Sequence, residues 1–356
     1  MEKKSWLKII IINLVIALSL VTIAEIIIRV VAARSNVFNI NIGAAMDFHP
    51  TRGTQLKANY KAEGISINSF RILGPEIELK PNPSGIRILT IGDSTSFHPQ
   101  SRNYSRVLED KLKEYFPGHN IEVIVGAVPG YNSYKALDWY KEFLYKLNPD
   151  ITIIYIGWND ILSIHPFNKT ELLRQNIKAR SFLQKLYVVR LPYYFMREYE
   201  RKKATDLSPL SAEERNTINH FYPYHYSNNL KIMIEKLKNQ GSLVYLITLP
   251  GLITYNPTND ELKRMYYGVG MNNKFALYKA VYNKYHKVLE EVAASTNTPT
   301  IDLREIIKSP EQREIFTDTM HFNMAGSEVF GNYIANYLKA DLNKMIVRKR
   351  SHISIP

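Results

Sequence analysis

The residues of this 356-residue chain best suited to chemistry stand just after apolar, strand-like runs. Ser94 closes a Gly-Asp-Ser block, Gly130 follows a proline, and Asn159 lies in a Gly-Trp-Asn-Asp block. A serine at a strand-to-helix turn exposes its hydroxyl near backbone N–H groups that favour negative charge. A glycine N–H approaches a substrate oxygen closely, and an asparagine amide donates to the same region. These three residues predict an oxyanion hole, with Ser94 also available as a nucleophile.

A hydroxyl nucleophile needs a base, and His321 is the candidate. Asp318 stands three residues earlier, a spacing that lets its carboxylate reach the imidazole within one turn. The carboxylate would fix the tautomer and stabilise the imidazolium, while the other ring nitrogen takes the serine proton. Other candidates near the ends of the predicted strands are His98 and His165 for the base and Asp302 for the acid.

Five short apolar runs rich in β-branched residues predict the strands that position these groups. The runs are 86–91, 121–125, 151–156, 243–248 and 299–302. Apolar stripes at helical spacing predict helices over 133–147, capped by Asn132 or Ser133, and over 325–338. Strands alternating with helices imply a largely parallel sheet covered on both faces, with the ligand site beyond the carboxyl ends of the strands.

Four blocks in this chain order resemble the SGNH hydrolase family, also called GDSL-type esterases and lipases. The blocks are GDS at 92–94, Gly130, GxND at 157–160 and DxxH at 318–321, followed by Gly326. The resemblance covers roughly residues 65 to 340. It implies a flavodoxin-like three-layer α/β/α sandwich and acyl ester hydrolysis without a metal or a cofactor.

The family pattern implies a role for each matching residue. Ser94 is the nucleophile and one oxyanion donor, Gly130 and Asn159 are the other donors, His321 is the base, and Asp318 orients it. Many relatives read GDSxTxG where this chain has His98 in place of the last glycine, so His98 is expected to narrow the pocket entrance. Further candidates for lining the pocket are Asp93, Thr95 and Trp158.

The N-terminus predicts a membrane anchor. Residues 9–24 carry no charge, and as a helix the apolar stretch from Ile9 to Ala33 would span about 37 Å, enough for a hydrocarbon layer of about 30 Å. Glu25 and Arg29, four residues apart, can pair on one helix face near the far interface.

Lysines at the start of the chain favour a cytoplasmic N-terminus, although Arg29 and Arg34 on the other flank weaken that preference. Everything after residue 35 would then lie outside the membrane. The alternative is a signal peptide cleaved near Ala32 and Ala33, but the apolar run exceeds the usual 7 to 15 residues of such peptides.

Charge and cysteine content exclude several classes of function. The chain has no cysteine, which excludes thiol catalysis and Fe–S ligation. The net charge of +13 suggests nucleic acid or an anionic membrane as a partner. However, the excess lies in residues 1–40, 163–203 and 339–356, which leaves the rest of the chain near neutral. Nucleic acid is therefore not an expected partner, and the basicity points to the membrane.

The predicted organisation follows the chain from anchor to tail. It comprises a cytoplasmic stub and signal-anchor over 1–35, a stalk and docking segment over 36–84, a hydrolase domain over 85–342 and a basic, disordered tail over 343–356. A basic, aromatic-rich insertion interrupts the domain at about 163–225. We expect it to pack on the sandwich with a solvated basic side, and the alternatives are a lid over an acyl chain or a face on anionic headgroups.

These features predict a membrane-anchored serine esterase on the extracytoplasmic side of the cell membrane. It would remove an O-acyl group, with acetyl expected, from a carbohydrate or cell-envelope component. The anchor together with NSFRILGPE at 68–76 resembles a subgroup of membrane-tethered SGNH proteins often linked to exported polysaccharides. The alternatives are an O-acyltransferase acting on such a polysaccharide, a lipase for longer acyl chains, and a non-catalytic scaffold.

Overall fold

The structure is a computed structural model that divides into two compact units. The first comprises Met1–Gln55 and Asn176–Lys203, and the second comprises Leu56–Gln175 and Ala204–Pro356. Within them the structure describes residues 2–34, 45–62, 64–98, 102–163, 188, 204–268 and 270–353. The basic insertion therefore lies largely outside the described residues, together with His165.

The longest element among the described residues of the first unit is the helix α1 (Glu2–Arg34). Its stretch Lys8–Ile28 has a mean hydropathy of 2.6 and is almost entirely exposed. Ile10 and Leu20, for example, are 59% and 62% exposed. A buried core helix would hide these side chains, so this helix is suited to be a membrane span or a signal sequence.

A parallel sheet forms the centre of the second unit. Four strands of two residues precede it: β1 (Met46–Asp47), β2 (Gln55–Leu56), β3 (Lys61–Ala62) and β4 (Ile65–Ser66). The sheet itself consists of β5 (Ile86–Gly92), β6 (Ile121–Ala127), β7 (Ile151–Tyr155), β8 (Leu243–Ile247) and β9 (Thr300–Ile301). Its order is β6-β5-β7-β8-β9 with every pair parallel. This is the flavodoxin-like order, so the predicted fold class is confirmed.

The register of the three strands β6, β5 and β7 brings their ends to one level. Gly92, the last residue of β5, is paired with Ala127 of β6 on one side and with Tyr155 of β7 on the other. The strand order reverses at β5, because β6 lies on one side of it and β7 on the other. The loops that follow these strands therefore meet at the switch point where open α/β sheets bind ligands.

Helices cover both faces of the sheet, since every residue of β5 and β7 is buried. The α-helices of this unit are α2 (Ser94–Phe97), α3 (Tyr104–Tyr115), α4 (Ser133–Glu142), α5 (Trp158–Leu162), α6 (Ala212–His220), α7 (Tyr224–Asn239), α8 (Asn259–Arg264), α9 (Phe275–Ser295), α10 (Pro310–Arg313) and α11 (Met324–Ile353). Among the residues that the structure describes, 3₁₀ turns lie at Leu144–Leu147 and Leu303–Ile306. Helix α11 packs on α3, whereas α7 packs on both α4 and α9.

The segment before β5 is bound to the sheet domain by two arginines. Arg87, which is 3% exposed, donates to the carbonyls of Glu78 and Leu79. Arg106 of α3 donates to the carbonyl of Leu73. Leu73 itself is buried and forms a β-bridge with Val125, beside the sheet edge. Residues 56–84, part of the segment that the sequence predicted as a stalk and docking segment, thus belong to the same compact unit as the sheet.

Three predicted elements differ in length from those observed. The helix expected over 133–147 ends at Glu142, because Phe143 leaves helical geometry and stacks on Trp139. The last strand has two residues, since Asp302 instead caps a 3₁₀ turn. The final helix runs to Ile353, so the expected disordered tail is wrong over 343–353.

A lysine in this extended helix explains part of the difference. Lys349 donates to the carbonyl of Gly85 at 2.6 Å and forms an ion pair with Asp150 at 2.7 Å. Both partners lie at the start of central strands, so the basic end of α11 is tied to the edge of the sheet opposite Ser94.

Candidate active site

Ser94 stands at the sharp turn between β5 and α2. The side chain of Asp93 caps this turn by accepting hydrogen bonds from the Thr95 backbone N–H at 2.9 Å and from its hydroxyl at 2.8 Å. A Cβ at Gly92 would lie 2.1 Å from the Ser96 hydroxyl, so only glycine fits there. The Gly-Asp-Ser order thus follows from local packing, and it leaves Ser94 partly exposed.

His321 contacts both Ser94 and Asp318. Its Nε2 lies 2.8 Å from the Ser94 hydroxyl oxygen, and its Nδ1 lies 2.8 Å from Asp318 Oδ2. An ionised carboxylate only accepts, so Nδ1 carries the proton and Nε2 accepts from the serine hydroxyl. The structure thus brings together the three residues that the sequence proposed for nucleophile, base and orienting acid, in the geometry that proton removal from a serine requires.

The surroundings of Asp318 favour its ionised form. Burial raises its pKa, but hydrogen bonds from the His321 ring and from the N–H groups of Met320 and His321 outweigh this and bring the pKa below the ordinary value. The two N–H groups each lie 3.0 Å from Oδ1. An ionised carboxylate at this position stabilises a positive charge on the imidazole.

The turn that carries Asp318 and His321 is held by Thr319, which is fully buried. The Thr319 hydroxyl accepts from the N–H of Tyr266 at 2.7 Å and donates to its carbonyl at 3.2 Å. The Thr319 carbonyl accepts from the N–H of Leu252 at 2.9 Å. A Cβ at Gly251 would lie 2.3 Å from that carbonyl, so this loop needs glycine to approach so closely. No sequence motif indicated these contacts.

Gly130 occupies the turn after β6. Pro129 and Gly130 are the central residues, Gly130 has a φ of +78°, and the Tyr131 N–H donates to the Val128 carbonyl at 3.2 Å. This combination is typical of a type II turn, in which the third residue must adopt positive φ. A Cβ added to Gly130 would have no atom within 4 Å. The backbone conformation, and not crowding by neighbours, therefore requires glycine here.

Asn159 bridges the loops that carry Ser94 and Gly130. Its Nδ2 donates to Asp93 Oδ2 and to the Tyr131 carbonyl, each at 3.1 Å. Both amide protons are therefore engaged in this structure. Donation to an oxyanion would require one of these bonds to be shared or released.

Three residues that were expected to line the pocket are buried inside the protein instead. Asp93, Thr95 and Trp158 are 0% exposed, so the prediction that they line an open pocket is wrong. Trp158 stacks on Tyr282 inside the protein, with ring centroids 5.8 Å apart. Burial raises the pKa of Asp93. Hydrogen bonds from Thr95 and Asn159 and the charge of the nearby His321 oppose this effect.

The remaining candidates fall in different places. His98 is partly exposed, and its ring lies edge-on to that of His321 with centroids 5.9 Å apart. Asp302 forms an ion pair with Arg304 at 2.5 Å and accepts from the Thr248 hydroxyl at 2.9 Å. Asp302 is thus engaged elsewhere, whereas Asp318 is the carboxylate that contacts His321.

Comparison with known proteins identifies one family. The model of the GDSL-like lipase/acylhydrolase family matches residues 90–329. No curated protein matches the sequence.

Several solved structures are similar to this chain. An acetyl xylan esterase, AlAXEase, is 16% identical with a TM-score of 0.44, over 71% of this chain and 100% of that one. A lipase/acylhydrolase from Enterococcus faecalis is 20% identical with a TM-score of 0.41, over 72% and 96%. An acetyl-xylooligosaccharide esterase from Geobacillus is 17% identical with a TM-score of 0.44, over 71% and 93%.

The position of Asn159 leads to a first prediction. Asn159→Ala removes the side-chain amide, and we expect kcat for a chromogenic acetyl ester to fall by about 10² to 10³, the usual effect of losing one oxyanion donor. KM should change little, because the neutral substrate carbonyl depends less on this donor. Steady-state kinetics measure both constants. A loss of kcat below about tenfold would remove Asn159 from this role.

Proposed function

The chain belongs to the GDSL-like lipase/acylhydrolase family and is a carboxylic ester hydrolase, and from this premise we propose that it is a serine esterase acting on an acylated carbohydrate or another cell-envelope component. Acetyl is the expected acyl group. The observation that carries the proposal is the 2.8 Å contact between the Ser94 hydroxyl and His321 Nε2. Asp318 supports it from the opposite ring nitrogen.

In the proposed acylation step, Ser94 Oγ bonds to the ester carbonyl carbon while His321 Nε2 takes the hydroxyl proton. The carbonyl oxygen becomes an oxyanion, which the N–H groups of Ser94 and Gly130 and the amide of Asn159 would stabilise. The tetrahedral intermediate then expels the alcohol. His321 returns its proton to the departing oxygen, and an acyl-serine remains.

Deacylation repeats these steps with water in place of the serine hydroxyl. His321 takes a proton from water as the water oxygen bonds to the acyl carbon. Ser94 Oγ then leaves with the proton from His321, and the carboxylic acid is released. The ionised Asp318 stabilises the imidazolium in both halves of the reaction.

His98 supports a small acyl group. Its ring stands beside that of His321, four residues after the nucleophile, where many relatives have glycine. A bulky ring there reduces the space next to Ser94 and so favours a short acyl chain. The acetyl group, whose chain is a single methyl, meets this condition. The proposal that the acyl group is removed from a carbohydrate rests on the resemblance to the membrane-tethered subgroup.

We further propose that α1 anchors the protein with its catalytic unit on the extracytoplasmic side of the cell membrane. The exposed apolar stretch Lys8–Ile28 supports a membrane span. Lys3, Lys4 and Lys8, at the N-terminal end of α1, support a cytoplasmic N-terminus.

Replacement of the nucleophile tests the proposed function directly. Ser94→Ala should reduce hydrolysis of a chromogenic acetyl ester to background, because it removes the hydroxyl that lies 2.8 Å from His321 Nε2. A fluorophosphonate probe should label the native chain and not the variant. Ser105→Ala, a buried serine hydroxyl in α3, is a matched control that should retain labelling. An active Ser94→Ala enzyme would contradict the proposal.

The preference for a small acyl group is tested at His98. We expect His98→Gly to raise the ratio of kcat/KM for a butyryl ester to that for an acetyl ester by about tenfold or more, since two added methylenes then find space. His119→Gly, at the opposite edge of the sheet before β6, should leave the ratio unchanged. An unchanged ratio in His98→Gly would show that this ring does not limit acyl length.

Topology is testable because the native chain has no cysteine. In Lys113→Cys the new thiol lies on α3, where the native side chain is 50% exposed. A membrane-impermeant maleimide should label this variant in intact cells, and the labelled chain should stay in the membrane pellet after an alkaline wash. Labelling only after cell lysis would contradict the proposed side. A labelled chain found in the soluble exported fraction would indicate cleavage instead.

A further inference from the structure

Asp160, next to Asn159, binds the first residue of α4 with both carboxylate oxygens. Oδ2 accepts from the Ser133 backbone N–H at 2.8 Å, and Oδ1 accepts from the Ser133 hydroxyl at 2.6 Å. The two residues are 27 positions apart and lie in α5, which follows β7, and at the start of α4, which follows β6. These hydrogen bonds are charge-assisted, a class about twice as strong as neutral ones.

The contact continues into the protein interior. Ser133 is 1% exposed, and its hydroxyl also accepts from the Asn229 side-chain amide of α7 at 3.0 Å. Asn229 is buried as well. The carbonyl of Asp160 accepts from the Tyr285 hydroxyl of α9 at 3.4 Å. Helices α7 and α9 therefore hold both ends of the contact between Asp160 and Ser133.

This arrangement sets the distance between two predicted oxyanion donors. Asn159 immediately precedes Asp160, and Gly130 stands three residues before Ser133. A second bond joins the same loops, from Asn159 Nδ2 to the Tyr131 carbonyl at 3.1 Å. This second bond is to a neutral acceptor, so it is weaker than the charge-assisted bonds that Asp160 makes.

We propose that Asp160 is a positioning residue, whose carboxylate holds the Gly130 N–H and the Asn159 amide at the separation that a tetrahedral oxyanion requires. This inference rests on the proposed esterase function. Asp160 acts through Ser133 and does not touch the substrate. Displacement of about 1 Å at a catalytic group can cost about 10²-fold in rate, so a bond that fixes this separation affects kcat.

Capping of α4 alone would be a purely structural role, and the neighbouring cap separates the two explanations. Asn132 also caps α4, through its side-chain oxygen on the Lys135 N–H at 3.1 Å, but none of its described bonds reaches the Asn159 loop. Asn132→Ala is therefore the matched control for Asp160→Ala. Both variants remove a cap from α4, but only Asp160→Ala also removes the contact with the segment that carries Asn159.

The kinetic test compares these variants on a chromogenic acetyl ester. Asp160→Ala should lower kcat by about 10- to 100-fold with KM within about threefold. It should weaken inhibition by a trifluoromethyl ketone, which forms a tetrahedral oxyanion on Ser94, by a similar factor. The pH profile of kcat/KM should be unchanged, because Asp318 and His321 are untouched. Asn132→Ala should keep kcat and inhibition within about threefold of the native values.

Two results would overturn the positioning role: equal kinetic losses in Asp160→Ala and Asn132→Ala, or a kcat of Asp160→Ala within about threefold of native. If Asp160→Ala does not fold, Ser133→Ala breaks the hydroxyl bond and keeps the backbone bond. Ser133→Ala should then lower kcat and weaken inhibition by the ketone, each by about three- to tenfold. If both quantities stayed at their native values, the positioning role of Asp160 would be overturned as well.

A readout without substrate separates this inference from the proposed function. With ¹⁵N-glycine labelling of the full chain in detergent, the Gly130 amide resonance reports the placement of its loop. It should shift or broaden in Asp160→Ala and stay in place in Asn132→Ala. Failure of the native chain to hydrolyse any ester would end the proposed function. An unmoved Gly130 resonance in Asp160→Ala would end the positioning role.

Discussion

The pairing of Gly92 with both Ala127 and Tyr155 is the constraint on which the candidate site depends. Because three parallel strands end at one level, the loops after them start from a common edge, although they are distant in sequence. The nucleophile, the Gly130 turn and the Asn159 turn each need only a few residues to meet. Any slip of these strands would displace the closely packed side chains of β5 and β7, so the core that stabilises the fold also sets the geometry of the site.

The turn that carries Asp318 and His321 does not directly follow a strand of the sheet, and its position depends on packing and buried polar contacts. Thr319 binds the loops at Tyr266 and Leu252. Nearby, Arg313 and Glu261 form an ion pair at 2.6 Å with both side chains almost fully buried. Losing one member of such a pair leaves an uncompensated buried charge, which is strongly destabilising. The turn that carries the base is thus held by contacts that tolerate little change.

Much of the framework could be predicted from the sequence, because apolar β-branched runs and helical stripes depend on local pattern. The strand at 86–91 was placed to within one residue, and the motifs located Ser94, His321 and Asp318. Burial was less predictable. Asp93 and Trp158 belong to the right blocks but point inward, which depends on neighbours far along the chain. The bond between Asp160 and Ser133 likewise joins separate motifs, and no spacing rule within one motif indicates it.

The resting partners of Asn159 bear on how the proposed oxyanion hole would discriminate between ground state and transition state. One amide proton binds a carboxylate oxygen of Asp93, and the other binds the neutral carbonyl of Tyr131. Asp93 accepts every hydrogen bond that it makes here, which fits an ionised carboxylate, so the bond to the neutral Tyr131 carbonyl is the weaker of the two and is the one to exchange. A neutral ester carbonyl gains little by replacing the Tyr131 carbonyl, since the two acceptors are alike. An oxyanion gains a charge-assisted bond, so the exchange favours the transition state selectively, as catalysis requires.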